Sequence, residues 1–477
     1  MSGDALEQRV RALLDQTAQV FRGHERAETW LRRHRERLDE PLRVALTGSP
    51  RSGRSTLVNA FIAEDVAPVR AGGVPVWFHD GTRPAARVHP DTGPPLVTPL
   101  QREPRGGHLV AAPAGTRAIV VEWPCRALRH TRLLETTGDE AHTEADAILH
   151  LARHLGDDDL TPLQGARSGR GAAALPVHIL VVLSRADELA GGRADALLNA
   201  KQIARRRRRD AHVAALCQDV LAVSGQMAYA GRTLREEEFA AIAAIAALPR
   251  AEADALLLST DRFAGTALPA ALPASVGATA LAVGVPAERR AALLDRFGLG
   301  AIRLATTLTR NGARSRAALG EQLIRHSGLT DLQSSISDLF TTRRAVLKSR
   351  TALVALEQLL RAEDRPAAGH LIAELERLVA TAHEFRELRL LAALRTGRVA
   401  PPADLAVEAR RLIGGEGDAH CERLGMSPDS TAEQLWPAAE NAAARWHEQT
   451  TAAATAGERR AAQVVLRSCT AILDDLG

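Results

Sequence analysis

The sequence predicts an α/β P-loop domain joined to an all-α helical bundle. Three observations predict it. A glycine-rich phosphate loop lies between an apolar strand and a helix, later apolar strands each end in a polar loop motif, and helix-period apolar stripes occupy both ends of the 477-residue chain. That length accommodates two or three domains with their own cores.

The first element is an N-terminal helix. Leu6, Val10, Leu13, Leu14, Phe21, Trp30, Leu31 and Leu38 recur near helical spacing. An amphipathic helix cannot bury its stripe alone, so residues 1–40 are expected to pack against the helices of the C-terminal part. The P-loop domain, residues 41–262, opens with the short apolar run Leu42, Val44, Ala45 and Leu46. Next comes Gly48-Ser49-Pro50-Arg51-Ser52-Gly53-Arg54-Ser55, which fits the pattern G-x-x-x-x-G-K-[ST] except for arginine at the lysine position. From Thr56 to Ile62 the pattern is helical. In this context backbone N–H groups and the helix N-terminus face the phosphates, and Ser55 is the candidate Mg²⁺ ligand.

Three further motifs follow in order. Leu133-Leu134-Glu135-Thr136-Thr137-Gly138 ends an apolar strand and is similar to the D-x-x-G element of GTPases, with glutamate for aspartate; there the acid holds a metal-bound water and the glycine N–H senses the γ-phosphate. Val177 to Leu183 is a continuous apolar strand that delivers Ser184-Arg185-Ala186-Asp187, similar to the guanine-reading [NT]-K-x-D. Its aspartate accepts from the base, although an Asp capping the next turn is the structural alternative. Leu221-Ala222-Val223-Ser224-Gly225 is another strand ending in a small-residue loop of the kind that backs the guanine.

Residues 263–286 read as an Ala/Pro-rich linker. Positions 266 to 285 carry no charge over about the length of a bilayer-spanning helix, but Pro269, Pro273, Gly277 and Gly284 interrupt them. Residues 287–477 then read as the bundle. Ser315 caps a helix ending at Gly328, one long helix carries Leu332 to Leu360, and another carries Ile372 to Leu394 and stops before Gly397.

Composition adds bounds. The net charge of +4 is too small to argue for nucleic acid, and the basic side chains are nearly all arginine, Lys201 and Lys348 being the only lysines. Cys125, Cys217, Cys421 and Cys469 form no C-x-x-C pair, which reads as reduced thiols in a cytoplasmic protein. No signal peptide precedes the polar N-terminal helix. The run Arg205 to Arg209 reads as the solvated face of a helix beginning near Asp195, or as a surface for anionic lipid.

Taken together, Gly48 to Ile62, Glu135 to Gly138, Ser184 to Asp187 and Ser224-Gly225 between helical parts resemble a bacterial dynamin-like protein, more narrowly the C type of the actinobacterial isoniazid-inducible group. Stretches without a nucleotide role share the likeness, among them SRADELAGGRADALL (184–198), AVSGQMAYAGRTLREEEF (222–239), DRFGLGAIRLA (295–305) and HEFRELRLLAAL (383–394). The resemblance implies a dynamin-like GTPase head that binds GTP or GDP with Mg²⁺, a helical neck and trunk, assembly through heads, and a role in membrane remodelling or envelope stress. By the same resemblance, nucleotide contacts fall on Gly48 through Thr56, Glu135, Gly138, Ser184, Arg185, Asp187, Ser224 and Gly225.

The chain departs from a working dynamin head in ways that bear on hydrolysis. Arg54 replaces the compact ammonium by a larger planar donor. Pro50 stands where dynamins carry the glutamine that helps order the catalytic water. The tract Val69 to Trp77 holds no switch threonine, with Thr82 a substitute beyond the strand, and only Asp139 to Ala145 separate Gly138 from the next strand-like run. Arg51 matches the position of an internal arginine finger in related GTPases and is the one candidate catalytic residue, the alternative being drift of a basic residue on an exposed loop, since a finger without a positioned water has little to accelerate. The expectation is a head that binds a guanine nucleotide but hydrolyses it weakly or not at all. It would act with a longer, catalytic dynamin-like paralogue and meet the inner face of the plasma membrane through that partner. A slow GTPase that remodels membranes itself and a nucleotide-free scaffold are the alternatives.

Overall fold

The structure, a computed structural model, describes every residue except 1–2, 71–72, 104–105, 139, 168–175, 193–194, 266–284 and 364–367. Its strands are β1 Leu42–Gly48, β2 Val69–Arg70, β3 Val76–Asp80, β4 Ala85–Pro90, β5 Leu96–Thr98, β6 Gln101–Arg102, β7 His108–Leu109, β8 Thr116–Trp123, β9 Thr131–Glu135, β10 Ala147–Ala152, β11 Ile179–Ser184 and β12 Asp219–Val223. Among the described residues one sheet runs β12-β11-β10-β1-β9-β3-β8-β4-β5, and β2-β7-β6 form a smaller one. From β12 to β9 every pairing is parallel. Strands β10 and β11 are buried at every position. Parallel strands covered on both faces need such continuous apolar runs, which is why AILHLA and ILVVLS occur there.

Strand order places the site. The chain leaves β1 with β10 on one side and β9 on the other, and in open α/β sheets the crevice beyond the carboxyl ends of such strands is where ligands bind. Register brings those ends level: Gly48 lies opposite Leu151, Leu46 opposite Glu135, and Ser184 opposite Val223.

The N-terminal stripe forms two helices rather than one, Gly3–Val20 and Glu25–Arg37. Gly23 at φ 85 turns the chain between them, and His24 caps the second by accepting from Ala27 N–H at 3.2 Å. Both pack against helix Arg344–Ala362, with Leu6, Val10 and Phe21 fully buried.

The bundle differs from its sequence reading in two places. The long helix expected over 332–360 is divided by a wide turn at Ser337–Thr341. Charged groups from later in the chain meet there: half-buried Asp338 accepts from Arg395 and, at 3.3 Å, from Arg410, while buried Arg343 binds Asp418 and the Ile413 carbonyl. The helix expected over 372–394 breaks at Ala382, whose extended backbone starts a new helix at His383. His383 is anchored to Ser468 Oγ at 2.9 Å and its neighbour Glu384 to Arg9 at 3.3 Å.

Helices Ala287–Arg310 and Arg316–Ser327, expected in the bundle, pack on head helices Glu236–Ala247 and Gly225–Arg232. Phe297, Ile302, Leu319 and Leu323 share one core with Met227, Ile242, Ile245 and Phe263. Most of the expected linker, 266–284, lies outside the described residues. Its flanks meet at buried Arg290, which donates to Phe263 O at 2.6 Å and Val285 O at 2.7 Å.

Candidate functional site

The phosphate loop is shaped by two glycines. Gly48 has φ 130, and a β-carbon there would lie 2.2 Å from the Leu151 carbonyl oxygen, so only glycine lets β1 turn this close to β10. Gly53, at φ 95, leads into helix Arg54–Ile62. Beneath the loop the Thr47 hydroxyl meets His150 Nδ1 at 2.9 Å, and His150 Nε2 meets Asp159 O at 2.7 Å. Burial holds His150 below the ordinary histidine range, so a neutral ring donates from Nε2 and accepts at Nδ1. Ser49, Pro50 and Arg51 are exposed on the loop, Arg51 with φ 64. Ser52 is buried, and its hydroxyl has no hydrogen-bond partner.

Arg54 does not project outward as a free cation. Its Nη1 donates to the Gly48 carbonyl and, at 2.9 Å, to the Ser49 carbonyl, while Nε lies 3.8 Å from Glu135 Oε1. Ser55 Oγ donates to the same Glu135 oxygen at 2.6 Å. The expected metal ligand and the expected acid are therefore together, with the guanidinium over them. Burial raises the Glu135 carboxyl above the usual range, opposed by the Ser55 hydrogen bond and the Arg54 charge. Burial likewise lowers Arg54, opposed by Glu135.

The two tracts expected to act as switches lie on either side of Glu135 in the chain. Residues 69–75 lead to Val76, which pairs with Glu135, so this tract borders the site; Ala71 and Gly72 lie outside the described residues. Strand β3 runs antiparallel to β9 and carries the chain away from the loop. Thr82, beyond Asp80, is exposed at the opposite end of the sheet and cannot serve as the switch threonine. The Gly138 N–H is taken by Thr136 Oγ1 at 3.0 Å. Between Gly138 and β10 the described residues form a single helix, Glu140–Glu144, and Asp139 lies outside them.

The base end is more complete. Ser52, Gly53, Thr56, Leu57, Asp187 and Gln226 are among the residues lining a pocket beyond β11 and β12. Asp187 is 6% exposed, and burial raises its carboxyl, opposed first by the Ser224 hydroxyl. Ser224 also caps helix Gly225–Arg232, accepting from Met227 N–H at 3.2 Å. Gly225 packs on the phosphate-loop helix: a β-carbon there would lie 3.5 Å from Leu57 N. Arg185, at φ 51, pairs with Glu188 at 2.8 Å, which extends its stem along the pocket. Ser184 also lines the pocket, with its hydroxyl donating to Ala152 O at 3.1 Å.

Sequence reasoning missed Gln226, Gly298 and Gly300. Gly300 crosses Asp187 so closely that a β-carbon would lie 3.0 Å from its carbonyl oxygen. Two glycines inside the helical run FGLGAIRLA were the available signal. The arginine run proves partly structural: Arg207 donates to Leu155 O at 2.8 Å and Arg208 lies 3.7 Å from Asp219, while Arg205, Arg206 and Arg209 are exposed.

These residues fit a nucleotide better than a metal. The partnerless Ser52 hydroxyl, the glycine-shaped cradle and a helix N-terminus suit phosphate. Ser55 and Glu135 would hold Mg²⁺, but the guanidinium already occupies the carboxylate's charge. No group of three or more His, Cys, Asp or Glu arranged to bind a metal is present among the described residues.

No protein-family profile matches the chain. It is 33% identical over 456 residues to the isoniazid-induced protein IniC of Mycobacterium tuberculosis, in each of two strains, covering 89% of this chain and 90% of the relative. Two solved chains, described as an oligomerised bacterial dynamin pair for long-range sensing and tethering of membranes, align over 99% and 98% of this chain and 74% and 75% of their own. Both alignments have 13% sequence identity and a TM-score of 0.28.

Proposed function

Because this chain belongs to the isoniazid-induced IniC family, we propose that it is a dynamin-like guanine-nucleotide-binding protein whose hydrolysis is weak or lost. It works with a longer, catalytically competent dynamin-like paralogue in membrane remodelling, at septation or under envelope stress. The chain itself is cytoplasmic and reaches the inner face of the plasma membrane through that partner. Among the described residues no helix is long and apolar enough to cross a membrane.

The observation that carries the reading is the cluster Arg54–Glu135–Ser55. Hydrolysis of a phosphoanhydride needs an oriented water, a bound metal and charge stabilisation at once. Here the P-loop cation is bonded to its own loop carbonyls and sits over the carboxylate that would serve the metal. Pro50 has no polar side chain to orient water, and the tract beside Glu135 has no threonine. The base end supports retained binding: a buried carboxylate with a raised pKa gains from the two N–H donors that guanine presents.

A slow GTPase acting alone is the second reading, favoured by Arg51, which is exposed on the loop with φ 64. The purified full-length chain separates the two. Guanine nucleotide binding and GTP turnover are measured alone and then with the paralogue. Binding with negligible turnover, plus an altered turnover of the paralogue, is the expected result. Turnover by the isolated chain at a dynamin-like rate, reduced by Arg51→Ala, would select the second reading, and no binding of guanine nucleotide would leave a scaffold.

A further inference from the structure

A helix from beyond the 266–284 segment packs against two residues that line the base pocket, Asp187 and Gln226. Helix Ala287–Arg310 is interrupted at Gly298, whose φ 72 and ψ 156 belong to a region open essentially to glycine alone. A β-carbon on Gly298 would lie 3.4 Å from Gln226 Oε1 and 3.8 Å from Asp187 Oδ2. A β-carbon there would be in ordinary van der Waals contact with both groups, so the glycine is required by its backbone conformation, and the kink brings the helix against the two acceptors.

Gln226 is held from the other side. Its Nε2 donates to the Asp295 carbonyl at 2.9 Å, just before the kink. A carbonyl only accepts, so this bond places the amide nitrogen at Asp295 and turns the amide oxygen toward Gly298 and Asp187. Two acceptors, one neutral and one anionic, thus flank a single point of the pocket that both residues line. Guanine presents three N–H bonds on that edge, one at N1 and two on the 2-amino group. A single carboxylate reads two of them.

We infer that Gln226 is a specificity-determining residue of the base pocket, its amide oxygen accepting the second N–H of the 2-amino group while Asp187 accepts the first together with N1–H. The inference rests on the guanine reading of Asp187 proposed above. It names the ligand class as purine nucleotides carrying a 2-amino group, and hypoxanthine, identical but for that group, as the competitor that Gln226 rejects. Gly298 is a positioning residue, acting only through the two acceptors.

The test is calorimetric titration of the full-length protein with GDP and IDP, for the wild type and for Gln226→Ala. One neutral hydrogen bond corresponds to roughly a 5- to 10-fold change in affinity. Gln226→Ala should weaken GDP by about that factor and leave IDP unchanged, narrowing the GDP/IDP ratio accordingly. Equal weakening of both nucleotides, the behaviour of a residue that merely tethers the helix, would overturn the inference, as would an unchanged GDP affinity. Gln226→Met keeps the side-chain length and must give the same selective loss if the alanine variant is poorly folded. A wild type that binds GDP with a ratio insensitive to position 226 defeats only this inference. A wild type that binds no GDP defeats the guanine reading with it.

Discussion

Arg54→Lys should make nucleotide binding depend on magnesium. In the native chain Arg54 Nε lies 3.8 Å from Glu135 Oε1, with both side chains largely shielded from solvent. At that separation the gross Coulomb attraction is roughly 4 kcal/mol with an effective dielectric near 20. Desolvation of two charges takes back most of it, leaving about 1–2 kcal/mol that an incoming divalent ion must displace. Lysine is a compact point charge without the planar fork, and one ammonium cannot span both loop carbonyls and Glu135 as the guanidinium does. Glu135 and the Ser55 hydroxyl are then released to a metal. Titration of a fluorescent guanine nucleotide with and without chelator reads the effect. Mg²⁺ should strengthen binding by no more than about 2- to 3-fold in the wild type and by about 10-fold in Arg54→Lys, the factor equivalent to ~1.4 kcal/mol. Turnover should stay low in the variant, since Pro50 and the threonine-free tract are unchanged. Equal magnesium dependence in the two proteins would refute the reasoning, and recovery of fast turnover by this substitution alone would refute the role given to the other losses.

Asp187→Asn replaces an acceptor by an amide that also donates, so GDP affinity should fall at least about 10-fold while XDP, whose 2-oxo group accepts, gains; competition titration with the two nucleotides reads the exchange. Gly328→Ala would place a β-carbon 2.2 Å from the Ala222 carbonyl oxygen at φ 84, where the Ser327 carbonyl accepts from Ser224 N–H at 2.9 Å. A loss of about 3 kcal/mol in urea unfolding is expected, and a change below about 1 kcal/mol would show that the close approach is wrong. Burial lowers His383 from the usual 6.5 to about 4, so the unfolded chain takes up this proton first as pH falls. Its contribution is complete above about pH 6.5 and is lost toward pH 4, amounting to about 2 kcal/mol by pH 5. Denaturant unfolding of His383→Gln at pH 7 and pH 5 should show a pH-dependent loss smaller by that amount than in the wild type.

Much of the head was legible because its determinants are local. Glycines at 48 and 53, the apolar runs of β1, β9, β11 and β12, and the motif that follows each of these strands occur in chain order, so their arrangement at one sheet edge follows from parallel topology alone. Helix breaks were less legible. The interruptions at Ser337–Thr341 and Ala382 carry neither proline nor glycine and coincide with long-range polar contacts, half-buried Asp338 with Arg395 and buried His383 with Ser468. A periodicity analysis sees only the stripe, which runs through both breaks unchanged.

By itself the sequence determined the glycine-rich loop between strand and helix, the arginine in place of lysine and the lack of a threonine in the tract that leads into β3. These are properties of residue type and local order, on which backbone geometry and strand topology act directly. Only the tertiary structure decided what Arg54 does, since its bonding to Gly48 and Ser49 carbonyls and its nearness to Glu135 depend on how β1 and β9 lie side by side. It also removed Thr82 from the site, because β3 runs antiparallel to β9. Finally, it brought Gly298 and Gly300 onto Asp187 across more than a hundred residues of chain. Contacts of that range leave no trace in local periodicity, because a glycine that admits a distant carboxylate reads the same as one that ends a helix.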